Sequence, residues 1–236
     1  MRRLVPLLLL APLAVTGCGT EQPAEAPSAA ADAPSSATPT QTPTPTPTPT
    51  PGALSTDFPL ALGYDEENGD DHSPVVVTGR PATQAFEECH RQVWDPAAGS
   101  DVIGVEFRGE AEWSRGRTLV LYPSTDAAIA AVDKVADTIT NCPRDNGDEY
   151  GWTEHSGINY YVGDQSFGWI DRYWTAEVGG FDTGLTIYHV VRVGRSVLLT
   201  YEYGEGNGSE QILLSAFARA EKADRPVVDA MSTLPT

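Results

Sequence analysis

The sequence predicts an α+β domain with a mainly antiparallel sheet and helices packed on one face. Three observations carry this: apolar residues with period two, a hairpin signal near the C-terminus, and amphipathic helical stretches between and after the strands. The chain divides into residues 1–17, residues 18–54 and a single domain over 55–236.

The N-terminus reads Met1-Arg2-Arg3, then an apolar run over residues 4–15, then Thr16-Gly17-Cys18. A short basic segment before an apolar stretch too short to span a bilayer is the pattern of a secretory signal peptide. Val15-Thr16-Gly17-Cys18 is similar to the lipobox of bacterial lipoproteins. That likeness implies cleavage after residue 17 and acylation of Cys18. The domain is then expected on the extracytoplasmic face of the cell membrane, held by lipid alone, because no later stretch has the roughly 20 apolar residues of a membrane helix. Each methylene of the anchor contributes about 0.8 kcal/mol. The other reading is plain secretion with an unmodified Cys18.

Residues 18–54 are Ala, Pro, Ser, Thr, Glu and Gln with almost no large apolar side chain, so they are expected to form a disordered stalk. Over residues 39–51, Pro and Thr nearly alternate. Proline favours the polyproline II helix at about 3.1 Å per residue, which makes this tract a semi-rigid spacer of roughly 40 Å. Tracts of this composition are also candidates for O-glycosylation.

The formal net charge is −18. Loss of residues 1–17 removes Arg2 and Arg3 and no acid, which makes the charge two units more negative. Such a surface repels phosphate backbones, so nucleic acid is excluded as a partner. The sequence lacks G-x-S-x-G and H-E-x-x-H, and it calls for no catalytic site, no metal and no cofactor. The acidic run Asp65-Glu66-Glu67-Asn68-Gly69-Asp70-Asp71-His72 is either a solvated loop or a calcium loop. It does not match EF-hand spacing in any register.

Within the domain, a helix is predicted over 82–93, with Phe86, Cys89 and Val93 on one face. Ile103, Val105, Phe107, Ala111 and Trp113 alternate with Glu106, Arg108, Glu110 and Glu112, a half-buried strand. Ser114-Arg115-Gly116 is read as a turn into a strand over 117–122. A second helix carries Ala128, Ile129, Val132, Val135 and Ile139 on one stripe and leads to Cys142. Ser124 caps it and Asp126 sits in its first turn. A strand is predicted over 166–174, and a hairpin pairs 185–193 with 197–203 through Gly194-Arg195. The last helical region covers 210–234, divided at Pro226.

With Cys18 set aside, Cys89 and Cys142 remain. In an exported chain they are expected to pair, giving about 4 kcal/mol in the chain-entropy model. Two buried free thiols are the other reading.

The candidate ligand cleft is an aromatic patch: Trp152, Tyr161, Trp169, Arg172 and Trp174, with His189 nearby on an apolar strand. Alternation would place Phe167, Trp169, Asp171 and Tyr173 on one strand face and Ile170, Arg172 and Trp174 on the other. Aromatic rings beside one charged group suit small-molecule clefts, while ordinary sheet packing uses the same residues. His189 is read as a core histidine or a cleft group, and His155 as a loop residue without a partner. Gly206-Asn207-Gly208-Ser209 is a helix cap or an anion site.

Three ordered segments carry a resemblance: Phe86-Glu87-Glu88-Cys89, Arg117-Thr118-Leu119-Val120-Leu121-Tyr122-Pro123-Ser124, and Val191-Arg192-Val193-Gly194-Arg195-Ser196-Val197. The domain, over roughly 56–235, resembles the extracellular sensor domain of the PknH-type Ser/Thr kinases and related actinobacterial lipoproteins. The resemblance implies a single antiparallel α+β domain, a ligand cleft and a sensing or binding role outside the cell. Two departures stand out. The domain has one cysteine pair where the kinase-linked versions tend to have two, and no kinase segment accompanies it. The expected function is a non-catalytic, lipid-anchored binding module for a small or amphiphilic envelope molecule. The alternative is a structural lipoprotein that binds another envelope protein.

Overall fold

Consecutive buried residues in the middle of the chain decide the architecture. The structure, a computed structural model, describes residues 54–63, 77–108, 114–145, 147, 149–158, 161–205 and 210–235. All of them belong to one compact unit, Thr48–Thr236. Residues 1–53, which hold Cys18, the signal segment and the stalk except its last residue, the acidic run 65–72, Ala111, Trp113 and the 206–209 segment lie outside the described residues; Leu54, counted with the stalk, packs in the core.

The elements in order are β1 (Phe86–Glu88), β2 (Arg91–Trp94), a 3-10 turn (Pro96–Ala98), β3 (Asp101–Arg108), β4 (Ser114–Leu121), α1 (Thr125–Asn141), β5 (Gly151–Ile158), β6 (Gln165–Thr175), β7 (Gly180–Val193), β8 (Ser196–Glu205) and α2 (Glu210–Met231). The main sheet has the order β3-β4-β8-β7-β6-β5, and every pairing in it is antiparallel. β1 and β2 form a separate two-stranded hairpin. The α+β class and antiparallel pairing are therefore those expected.

The helices, however, cover opposite faces of the sheet. Ile103, Leu119, Leu121, Ile170, Ile187, Val191 and Leu198 pack with Ala216, Phe217, Val227, Val228 and Met231 of α2. Val120, Trp169, Val190, Val197 and Leu199 pack with Ala128, Val132, Val135 and Ile139 of α1, and with Val93 and Trp94. The reason is legible in the central strands. Leu119-Val120-Leu121, Val197-Leu198-Leu199 and Val190-Val191 are buried without a polar gap. A strand apolar on both sides must be covered on both sides.

Three local expectations are also revised. The predicted helix over 82–93 is the β1–β2 hairpin. Cys89 and His90 form its two-residue turn with φ of 54° and 59°, the left-handed pair that a type I′ turn requires. Ser114-Arg115-Gly116 opens β4 instead of turning. α2 runs through Pro226 without a break. Val227 and Val228, buried on the sheet, and Asp224, paired in the core, hold both sides of that proline. Other expectations hold. Ser124 caps α1, its hydroxyl accepting from the Ala127 amide at 3.2 Å. The β7–β8 hairpin turns at Gly194, whose φ is 58°. Cys89 and Cys142 are disulfide-bonded, with Cα atoms 6.4 Å apart, tying the hairpin turn to the end of α1. Among the described residues, no helix is long and apolar enough to cross a membrane.

Candidate functional site

The two faces of the sheet separate the six residues of the expected cleft. Trp169 lies under α1 with 0% exposure and stacks on Tyr188, ring centroids 4.5 Å apart. It is core. His189 is buried on the α2 face, its Nδ1 2.9 Å from Asp224 Oδ2. That carboxylate also accepts from Arg117 Nε at 3.1 Å, Arg117 Nη2 at 3.0 Å and Thr200 Oγ1 at 3.0 Å. His189 is thus a core histidine within a buried polar network. Tyr161 stands 82% exposed at the edge of a second cavity of about 400 Å³ beside Asp164, Arg225 and Asp229.

Trp152, Arg172 and Trp174 do come together. Trp152 and Trp174 face each other across β5 and β6 and stack at 5.9 Å. Phe181 meets Trp152 edge-on at 5.5 Å. Arg144 lies over the Trp152 ring at 3.6 Å and Arg172 over Phe181 at 4.2 Å, while Arg172 also pairs with Glu154. Guanidinium groups over aromatic rings are mutually stabilising. The patch is a platform more than a cavity.

The opposite face of the same strands carries chemistry that the sequence reading passed over. His155 lies in β5, which was not predicted, directly across from Asp171 in β6. Strand alternation turns both toward α1 and the β1–β2 hairpin. His155 is 3% exposed, with Nδ1 2.7 Å from Asp171 Oδ1 and Nε2 3.5 Å from Glu88 Oε2. One donor atom from each of Glu88, His155 and Asp171 lies within 4.8 Å of the other two. His155 Nε2 is buried and has no hydrogen-bond partner.

The electrostatics follow from that crowding. Burial, then the charge of Asp171, pushes the Glu88 carboxyl up to about 7. Burial also raises Asp171, against the hydrogen bond from His155. Burial disfavours the charged imidazole of His155, but the Asp171 hydrogen bond and the charges of Asp171, Glu88 and Asp145 outweigh it and raise its pKa.

Asp171 also lines a cavity of about 360 Å³. Its walls bring the hydroxyls of Thr153, Tyr173, Thr183, Thr186 and Tyr203 and the carboxylate of Asp182 around one opening. Such a set donates and accepts hydrogen bonds and favours positive charge.

No protein-family model matches the chain. No curated protein matches it either. The solved structures similar to it include two from mycobacteria. One is the extracellular domain of PknH from Mycobacterium tuberculosis, at 15% identity and a TM-score of 0.43, covering 67% of this chain and 84% of that one. The other is the Rv0999 ortholog from Mycobacterium smegmatis, at 12% identity and a TM-score of 0.44, covering 79% of this chain and 100% of that one. The first of these is of the kind the sequence resembles.

Proposed function

We propose that the chain is a lipid-anchored, extracytoplasmic, non-catalytic binding module whose cavity on the α1 face takes a small, hydroxyl-rich ligand carrying a positive charge. The carrying observation is the cavity itself: about 360 Å³, with five hydroxyls and two carboxylates on its wall. That volume lies within the usual range of small-molecule sites. The polar wall favours an amino sugar or a short amine-bearing envelope fragment over a long amphiphile. The anchor rests on the lipobox at Cys18, and the reach from the membrane on the Thr-Pro tract.

The test is an NMR titration with glucosamine, a cell-wall muropeptide and a fatty acid in parallel. Saturable shifts at Thr186 and Tyr203 with either of the first two support the reading. No response at the cavity to any of the three sinks it. Mass spectrometry of the N-terminal peptide tests the anchor, which requires a diacylglyceryl group on Cys18.

A second reading is favoured by the aromatic platform. Phe181 at its rim is 37% exposed, and the neighbouring Tyr150 and Val178 are more so. An envelope protein docking there would make the chain an interaction lipoprotein. Trp174→Ala would then abolish a specific cross-link that the cavity variant Asp182→Asn leaves intact.

A further inference from the structure

We propose that Glu88, His155 and Asp171 form a site for a divalent transition-metal ion, best matched by zinc, with His155 Nε2 and a Glu88 oxygen bound directly and Asp171 orienting the imidazole through Nδ1. The three side chains come from β1, β5 and β6, which are distant in sequence, and converge to within 4.8 Å.

The spacing is informative. Nε2 and Glu88 Oε2 are 3.5 Å apart, beyond the usual limit of about 3.2 Å for an N–H···O hydrogen bond. Bonds of about 2.0–2.1 Å to zinc make the edge of a tetrahedron about 3.4 Å. The pair is set for an ion between them and poorly set for a direct bond. The hydrogen bond at Nδ1 also suits the tautomer that a metal ligand needs. With the proton on Nδ1, donated to Asp171 Oδ1 at 2.7 Å, a lone pair is left on the buried Nε2, which has no hydrogen-bond partner. A carboxylate holding the far nitrogen is the usual support of a histidine ligand.

Charge points the same way. Once both carboxylates are ionised and the imidazole is neutral, as metal binding requires, the cluster carries a formal charge of −2, which one divalent ion offsets. Calcium prefers six to eight oxygen ligands, whereas imidazole suits zinc and its neighbours. The Glu88 and Asp171 side chains keep 16% and 14% of their surface open, which gives a path inward and room for water ligands. The proposal stands apart from the small-ligand reading, although Asp171 borders that cavity, because it is tested with metal alone.

The experiment uses the full chain in detergent, stripped with EDTA and titrated with zinc against a chromophoric chelator. One zinc per chain is expected, with a rise in unfolding temperature that magnesium does not reproduce. Asp171→Asn should weaken zinc about tenfold to a hundredfold and Glu88→Gln at least as much. His90→Asn, at the exposed left-handed turn beside Glu88, should leave affinity unchanged. A buried His155 variant risks misfolding, so the unaltered chain supplies a direct readout: zinc must shift the His155 Nε2 resonance. Failure to bind zinc overturns the proposal. Binding that survives Glu88→Gln, as at the acidic run 65–72, overturns it too, as does an unmoved His155 resonance.

Discussion

Arg117 and Asp224, 107 residues apart in the chain, meet in the core with Nη2 and Oδ1 at 3.0 Å and both side chains fully buried. Arg117 also donates to the carbonyls of Leu60 at 3.0 Å and Ala223 at 2.7 Å. One guanidinium therefore ties β4 to α2 and to the segment before the domain's first strand. Removing one partner of a buried pair strands the other's charge. Asp224→Ala is expected to destabilise by about 3–5 kcal/mol, and Arg117→Met with Asp224→Leu by clearly less. Urea unfolding of the two variants beside the unaltered chain checks this.

The same carboxylate sets an acid limit. Burial alone would raise the pKa of Asp224, but the charge of Arg117 and the hydrogen bonds from His189 and Thr200 outweigh it and hold it below its ordinary 3.8. A folded pKa below the unfolded one gives stability that is complete above the unfolded value and lost as pH falls through the folded value. Stability should therefore drop below pH 3.8 by an increment that Asp224→Asn lacks. Denaturation curves of both proteins between neutral pH and strong acid measure it.

The aromatic residues, grouped together by the sequence, should behave as two sets. Trp169→Ala empties a fully buried position and should cost about 3–5 kcal/mol. Trp152→Ala at the half-buried platform should cost well under half of that. Equal losses would contradict the division between core and platform.

The cap of α1 gives a smaller, cleaner effect. Ser124→Ala removes the hydroxyl that accepts from Ala127 and should cost about 1 kcal/mol, while Ser124→Asp should largely retain stability. Thermal unfolding distinguishes the two.

The cysteine bridge spans 53 residues. Its removal through paired Cys89→Ala and Cys142→Ala should cost about 2–4 kcal/mol. Hydrogen exchange should show the loss concentrated in residues 86–94, since the hairpin lies outside the main sheet's hydrogen-bond ladder.

The sequence carried the fold where patterns were long and regular. The α1 stripe and the β7–β8 hairpin were readable from spacing, and the cysteine pair from the cysteine count of an exported chain. The hairpin at 86–94 was not, because Phe86, Cys89 and Val93 fit a helical stripe and the left-handed turn residues, Cys89 and His90, include no glycine. The opposed helices were missed although the uninterrupted apolar runs in β4, β7 and β8 required cover on both faces. The Glu88–His155–Asp171 cluster was invisible for a different reason. β5 contains Gly151, Ser156 and Gly157 and gives a weak strand signal. The cluster depends on His155 lying opposite Asp171, a cross-strand register that no local pattern contains.

Glu88 immediately precedes Cys89, so the covalent tie to Cys142 determines where that carboxylate stands. A chain still holding free thiols lacks that tie, and the packing of Val93 and Trp94 under α1 is left to hold the hairpin beside the imidazole. Oxidation of the two thiols therefore restrains the Glu88 side of the three-residue cluster.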